Sequence, residues 1–260
     1  MRLDQYLVIN GFFDSRNKAS NAVKLGHFTV DKKRITKPSF EVSDNSLVEK
    51  LVDEKTYVAR SAHKLIKAYS SFNLAWEGKV IVDLGASTGG FCQVLIEHNV
   101  KKVFAVDIGT AQLHPDVKND ARIVNMEHTN ARYLTEASFP EPIDAVTADL
   151  SFISIKAILP AIYQLLNIDG EAVVLIKPQF EAGPSALSKN GVVTDRKVQY
   201  KVVEEVISFA QSLGFGVVGV RFSGLVGESG NREYLLYLIK DAVSKISIPT
   251  DVHFAVYMEE

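Results

Sequence analysis

Only one cysteine, Cys92, stands in 260 residues, so no disulfide can form within the chain and a zinc site built on thiolates is excluded. Nothing else in the sequence calls for a metal. No apolar run approaches the roughly 20 residues that span a bilayer. The opening stretch MRLDQYLVIN carries Asp4 and no apolar core followed by small residues, so it does not read as a signal peptide. There is no internal repeat and no low-complexity tract. The expectation is a cytoplasmic protein with no membrane partner. What is present, 47% hydrophobic and 23% charged residues, suits a globular chain with enough core for one or two domains.

The net charge of −2 hides an asymmetry. Residues 1–70 hold 13 Lys and Arg against 8 Asp and Glu, so the rest of the chain is acidic. Such a split can mark a nucleic-acid-binding module joined to something else. The first stretch, to about residue 55, has its own texture. Leu3, Tyr6, Leu7 and Ile9 suit one face of a short helix ending near Gly11. Ser15 suits the N-cap of a second helix bearing Ala19, Ala22, Val23 and Leu25 and stopped by Gly26. HFTVDKKRIT then alternates and turns as a hairpin does.

From residue 59 the pattern changes. Ala62, Leu65, Ile66, Tyr69 and Phe72 recur at helical spacing. Strand-like runs follow at 79–83, 102–107, 122–125, 143–149, 171–176, 215–222 and 233–239, with helical spacing over 89–98, 154–166 and 197–213. Alternating strands and helices imply right-handed crossovers and a mostly parallel sheet covered on both faces, an α/β fold. The last two strands have only a loop between them, which suggests an antiparallel strand added at one end. The fourth and fifth runs are the most continuously apolar and are expected at the centre. Beyond about residue 245 the pattern assigns nothing.

In such a sheet, ligands sit at the carboxyl ends of the strands. Asp83-Leu84-Gly85-Ala86-Ser87-Thr88-Gly89-Gly90-Phe91 lies at the end of the first of them. Gly85 permits a tight turn, and Gly89 and Gly90 let a ligand approach the backbone where a helix begins. Asp107 ends the next strand, placed to accept hydrogen bonds from ribose hydroxyls. Dinucleotide enzymes share that ribose logic, but their loop reads G-x-G-x-x-G around a pyrophosphate. Here Ser87 takes the second glycine's place and Asp83 precedes the first. An acid aimed into the pocket would repel a pyrophosphate and suit an ammonium group. A ligand with a ribose, an amino-acid end and no phosphate is S-adenosylmethionine, ahead of a nucleotide or an empty glycine-rich turn.

Four more charged residues lie at or near element ends: Lys64 on the first helix of this region, Asp149 in TADLSF, Lys177 in VLIKPQFE and Glu233 in GNREYLLYL. A lysine closing an apolar strand is unusual, and Pro178 sets a turn straight after it. Amine methylation typically uses an Asp/Asn-Pro-Pro-aromatic loop, which DLSF is not. Pyrimidine C5 methylation needs a cysteine nucleophile, and Cys92 is on the wrong loop; it reads as a core residue. A hydroxyl acceptor needs a base, which a lysine can supply. Lys64 would lower the pKa of Lys177 and the two acids would raise it, a balance that spacing alone leaves open.

Taken together, RLDQYL, GFFDSRNKASNAVKLGHFTVDKKRITKPS, YVARSAHKL, DLGASTGGFCQVLI, AVDIG, TADLSFISI, LIKPQFEAG and GNREYLLYL resemble the hemolysin A (TlyA-type) family, over about residues 1–240. That family joins an S4 RNA-binding domain to an FtsJ-like (RrmJ-type) ribose 2′-O-methyltransferase. The resemblance implies a Rossmann-like seven-stranded methyltransferase domain over 57–245, a small α+β S4-like domain over 1–56, and an unassigned tail over 246–260. It implies a Lys-Asp-Lys-Glu catalytic tetrad, Lys64, Asp149, Lys177 and Glu233. It also implies S-adenosylmethionine as cofactor, held by Asp83, Gly85, Ser87, Gly89, Gly90, Phe91, Asp107 and Asp149. The partner would be ribosomal RNA or ribosomal subunits, with a cytidine 2′-hydroxyl as acceptor. The helix carrying Lys64 reads RSAHKL where relatives are often glycine-rich. Arg2, Arg16, Lys18, Lys24, Lys32, Lys33, Arg34 and Lys37 form a basic set able to contact phosphates; Phe12, Phe13 and Phe28 read as core. The loop SALSKNGVVTD, 185–195, is expected to be mobile over the site. Two other readings stand beside the enzyme: a non-enzymatic RNA-binding or ribosome-assembly factor with a vestigial cofactor pocket, and, on the family name alone, a hemolysin.

Overall fold

In the computed structural model, residues 1–24, 26–43, 45–51, 57–227 and 230–259 are described. Leu25, expected on the face of the second helix, lies outside them. The chain divides into two compact units, Met1–Arg60 and Ser61–Glu260.

The first unit opens with helices α1 (Leu3–Ile9) and α2 (Arg16–Lys24). The backbone N–H of Lys18 reaches the Ser15 hydroxyl at 3.4 Å, so Ser15 caps α2. Strands β1 (Phe28–Val30) and β2 (Lys33–Ile35) form the expected hairpin. Asp31 and Lys32 both take positive φ (50° and 65°), the two-residue turn whose twist matches paired strands. A third strand, β3 (Val48–Lys50), pairs on the other side of β1. It was not expected from the sequence. Leu3, Leu7, Ala19, Ala22, Val23, Phe28, Val30 and Val42 make the core. Phe28 is buried and Phe13 packs against that core, but Phe12 stays 41% exposed, edge-on to the Phe28 ring.

The second unit is a seven-stranded sheet: β4 (Val80–Leu84), β5 (Lys102–Val106), β6 (Ile123–Met126), β7 (Ile143–Ala148), β8 (Leu166–Ile176), β9 (Phe215–Val226) and β10 (Arg232–Lys240). The strand order is β6-β5-β4-β7-β8-β10-β9. The apolar strands β7 and β8 lie in the interior, as expected. The antiparallel strand is β10, and it is not the end strand: it is inserted between β8 and β9, and β9 forms the edge. A β9-to-β10 hairpin allows either placement, and the sequence alone does not choose.

Helices α3 (Ala62–Phe72), α4 (Gly90–Glu97), α5 (Pro115–Lys118), α6 (Leu159–Leu165), α7 (Pro178–Glu181), α8 (Arg196–Ser212) and α9 (Ile248–His253) complete the unit. Strand residues alternate between the sheet's faces. Val80, Val82, Leu84, Tyr234, Leu236 and Leu238 join one core with Val203, Ile207 and Ala210 of α8. The alternate set faces the other way, where Phe72 of α3 packs on Tyr237 with ring centroids 5.3 Å apart. The stretch after 245, unassigned from sequence, is part of the fold. It forms α9 and a π-helical turn, Phe254–Met258, and it buries Val252, Ala255 and Val256 in the α8-side core.

The register fixes where the site lies. β4, β5, β7 and β8 run parallel, so their carboxyl ends share one edge of the sheet. β10 runs the other way, and Tyr234 pairs with Ile176, so β10 begins at the edge where β8 ends. Glu233 and Lys177 therefore meet at one end of the sheet, although 56 residues separate them.

Candidate active site

The glycine loop connects β4 to α4. Gly85 has φ 81°, and a Cβ there would lie 2.8 Å from the Asp149 carbonyl oxygen, so only glycine lets the two strand ends approach so closely. Gly89, at φ 94°, caps α4 against Val117, where a Cβ would sit 2.9 Å from a methyl carbon. Asp107 follows β5 and holds this loop in place. Its Oδ2 accepts from the Ser87 N–H at 2.8 Å and its Oδ1 from the Gly109 N–H at 2.7 Å. Each oxygen keeps a further lone pair for a ligand hydroxyl.

A cavity of about 550 Å³ opens at this edge. Of the residues expected to hold a cofactor, Gly85, Ser87, Asp107 and Asp149 line it. Gly89, Gly90 and Phe91, at the N-cap and first turn of α4, are buried and do not line it. Ile108, Gln112, Asn130, Leu150, Ser151 and Phe152 also line the cavity and were not singled out from sequence. An apolar wall of Ile108, Ala131 and Leu150 beside the Asp107 carboxylate fits a nucleoside: flat ring on one side, ribose hydroxyls on the other.

Asp83 departs from the expectation. It is fully buried, not in the cavity wall. Its carboxyl accepts from the Thr147 hydroxyl at 2.7 Å and from the Cys92 thiol at 3.1 Å. Burial pushes its pKa up to about 6, against the pull of those two donors. In β4 the alternation turns the side chain at 83 to the face opposite that of Val82 and Leu84. Cys92 is the buried core residue expected, and burial raises its thiol pKa well above the ordinary value.

The four charged residues converge. Lys177 Nζ lies 2.7 Å from Asp149 Oδ1, and Lys64 Nζ lies 3.0 Å from Asp149 Oδ2 and 2.6 Å from Glu233 Oε2. Lys64, Lys177 and Glu233 are each under a tenth exposed. Burial alone would lower the Lys64 pKa, but the Asp149 and Glu233 carboxylates outweigh it and hold it above the ordinary lysine value. Asp149 shows the converse: burial would raise its pKa, and the two ammonium groups hold it below the usual carboxylate range. Lys177 Nζ also donates to the Ser151 hydroxyl at 3.1 Å, and Ser151 lines the cavity. Asp149 therefore belongs to both the cavity wall and the lysine cluster.

Phe152 was missed. It is 91% exposed, has φ 63°, and its ring lies 5.5 Å from that of Phe180. A bulky residue in left-handed backbone at a cavity mouth points to function. The signal was the aromatic in DLSF, which had served only to reject an amine-type loop.

The loop at 185–195 is hydrogen-bonded to Asn231 and Gln199 at its far end. Val193 is buried; its N–H donates to Asn231 Oδ1 at 3.0 Å and its carbonyl accepts from Gln199 Nε2 at 2.7 Å. Asn231 Nδ2 also donates to the Gly191 carbonyl at 3.0 Å.

In the first unit, all eight predicted basic residues are exposed. They are not equivalent. Arg2 and Arg16 pair with the buried Asp4 at 2.9 and 3.1 Å, Lys18 pairs with Asp14 at 2.8 Å, and Arg34 donates to the Gly26 carbonyl at 2.8 Å. Lys24, Lys32, Lys33 and Lys37 are exposed ammonium groups.

A family model described as FtsJ-like methyltransferase matches residues 57–240, and one described as S4 domain matches residues 1–48. The chain is 41% identical over 238 residues to the 16S/23S rRNA (cytidine-2′-O)-methyltransferase TlyA of Mycobacterium tuberculosis, covering 91% of this chain and 89% of that one. It is 38% identical over 240 residues to Hemolysin A of Brachyspira hyodysenteriae, covering 92% and 100%. A solved structure from Streptococcus thermophilus, provisionally named a hemolysin, superposes with TM-score 0.77 at 36% identity, covering 99% of this chain and 94% of that one.

Proposed function

The chain belongs to the FtsJ-like methyltransferase family, and from that premise we propose that it transfers a methyl group from S-adenosylmethionine to the 2′-hydroxyl of a cytidine in ribosomal RNA, in the cytoplasm. The observation that carries this reading is Asp149, which lines the nucleoside-sized cavity and also holds both lysines. The rRNA acceptor is the one in the name of the Mycobacterium tuberculosis relative. The S4 match over residues 1–48, with its exposed lysines, supports an RNA partner.

Bound in the cavity, S-adenosylmethionine supplies a methyl carbon on a positively charged sulfur. Asp107 would accept hydrogen bonds from the donor's ribose hydroxyls on the lone pairs that Ser87 and Gly109 leave free. The attacking oxygen is a hydroxyl whose proton must leave as the carbon–oxygen bond forms and the carbon–sulfur bond breaks. Lys64, held cationic by two carboxylates, is not the base. Lys177 has one carboxylate partner and one hydroxyl partner, and in its neutral form Nζ takes the 2′-hydroxyl proton. Asp149, kept ionised beside the Lys64 ammonium, orients that amine, and Glu233 fixes Lys64. Phe152 offers an exposed ring face on which the acceptor base can stack.

The test is transfer of labelled methyl from S-adenosylmethionine to unmodified ribosomal subunits, wild type beside Lys177→Ala. Label in ribose that disappears in the variant is the expected result. Tight cofactor binding with no label on either subunit would favour the RNA-binding or assembly-factor reading instead. On the hemolysin reading, among the described residues no helix is long and apolar enough to cross a membrane.

A further inference from the structure

The family match ends at residue 240, yet the chain beyond it reaches back to the elements that carry the lysine–carboxylate cluster. Glu259 is the point of contact. Its carboxylate Oε2 accepts from the Phe222 N–H of β9 at 2.7 Å, and its Oε1 lies 3.7 Å from Lys67 Nζ on α3. Its backbone carbonyl accepts from Arg232 Nη2 on β10 at 2.7 Å. The Arg232 guanidinium in turn lies over the Phe222 ring, 3.6 Å from its centroid. One residue thus ties together α3, β9 and β10.

Two of the three tied residues neighbour a member of the cluster. Lys67 is three residues past Lys64, on the next turn of α3. Arg232 immediately precedes Glu233. The distance between α3 and the start of β10 sets the 2.6 Å contact between Lys64 and Glu233. The pairing of β10 with β9 shifts register between Arg232 and Tyr234, so the ladder anchors the start of the strand weakly. Further contacts hold the segment down: Arg196 Nη1 donates to the Val256 carbonyl, Arg221 lies 3.9 Å from Asp251, and Val252, Ala255 and Val256 are fully buried.

We propose that Glu259 is a positioning residue for methyl transfer, bracing α3 against the start of β10 so that Glu233 stays on Lys64. The inference rests on the proposed function for its catalytic consequence, but the brace itself is a statement about the fold. The charged groups facing Lys64 are Asp149 after β7 and Glu233 on β10; Lys177 faces Asp149, and Lys67 faces Glu259. Without the brace, Glu233 draws back and Lys64 keeps only Asp149. Lys64 then loses its proton at a lower pH, and the alkaline limb of the pH–rate profile moves down.

The experiment compares Glu259→Ala with Glu259→Gln in the full chain, each assayed for turnover per folded molecule, for KM of donor and RNA, and for the pH–rate profile. Glutamine keeps an acceptor for the Phe222 N–H and alanine does not. The expected result is a fall in kcat on the order of tenfold in Glu259→Ala, with unchanged KM values, an alkaline limb at lower pH, and recovery in Glu259→Gln. A second arm needs no activity: urea unfolding of Glu259→Ala, Lys64→Met and the double variant. The change in unfolding constant caused by Lys64→Met should shrink by a factor on the order of five when Glu259 is already alanine. Unchanged kcat and pH profile per folded molecule, or strictly additive unfolding effects, would overturn the brace. A wild type that transfers no methyl but still shows the coupling would instead sink the proposed function and leave the brace standing.

Discussion

Lys177 Nζ and Asp149 Oδ1 are 2.7 Å apart, and only Asp149 reaches the cavity wall. The amine touches two residues of that wall, Asp149 and Ser151, without lining it, so cofactor binding and chemistry should separate in mutants. Lys177→Ala is expected to lose about 10²- to 10⁴-fold in kcat, the range for removing a general base. Donor affinity measured by calorimetry should stay within a fewfold of wild type. Loss of donor binding in parallel with activity would mean that Lys177 holds the cofactor.

Asp149→Asn should affect stability as well as rate. It leaves two buried ammonium groups without their shared carboxylate, a change that costs about 3–5 kcal/mol when one partner of a buried pair is removed. The sign of the pH effect follows from the lowered pKa of Asp149. A carboxyl whose folded pKa is depressed contributes stability that is present above its unfolded value, about 3.9, and is lost as pH falls through the folded one. Urea titrations should show wild type and Asp149→Asn converging as pH drops below about 4 and separated at pH 7.

Asp83 gives the opposite sign. Its folded pKa, pushed up to about 6, lies above the unfolded value. Between about pH 4 and 6 the unfolded chain loses this proton and the folded chain keeps it, so stability falls as pH rises through that window and levels off above it. Asn at 83 retains an acceptor for Thr147 and cannot ionise. Asp83→Asn should therefore be more stable relative to wild type at pH 8 than at pH 4, read as the difference between the two proteins' urea midpoints. A difference that is flat with pH would show that Asp83 ionises normally in its buried site.

The contrast between these two acids shows how far the sequence could be read. Placement at strand ends picked out Asp149 and Lys177, because β7 and β8 are apolar runs whose ends are sharp. Glu233 was found for the same reason, although its strand runs the other way and lies inside the sheet. Asp83 ends an equally clear strand, but which face its side chain takes depends on the strand's phase against its neighbours. Burial with Thr147 and Cys92, 64 and 9 residues away, is a pairing that no local pattern reports. The segment after 245 was illegible for another reason. Its helix is one of six residues, too short for periodicity, and its role rests on long-range contacts to Arg196, Arg221 and Arg232.

Within the first unit the basic residues should divide by their partners. Lys24, Lys33 and Lys37 are exposed, so alanine there should weaken RNA binding with little loss of fold. Removing one lysine–phosphate pair lowers the slope of log affinity against log salt by about 0.7–0.9. Arg16→Ala removes one of two guanidinium partners from Asp4, which is only 3% exposed, and should lower the melting temperature of the unit as well. Filter binding across a salt series, beside thermal melts, separates the two classes. A melting change with no slope change at Lys24, Lys33 and Lys37 would place the RNA surface elsewhere.

Phe152 combines a cost in the fold with the use proposed for it in the reaction. A non-glycine residue in the left-handed region is strained by roughly 1–2 kcal/mol, and the ring, 91% exposed, recovers little by burial. Glycine at this position relieves the strain, so Phe152→Gly should be more stable than wild type by about 1 kcal/mol, less the entropy glycine adds to the unfolded chain. Alanine keeps the strain and should be nearly neutral. Both remove the face on which the acceptor base would stack, a contact worth about 1–3 kcal/mol per base. The KM for RNA should therefore rise about tenfold or more in both variants, while donor affinity stays unchanged. Stability and substrate affinity then move in opposite directions in Phe152→Gly, as expected of a residue kept in a strained conformation for its ligand. If the KM for RNA held at its wild-type value in both variants, the exposed ring would have no part in holding the substrate.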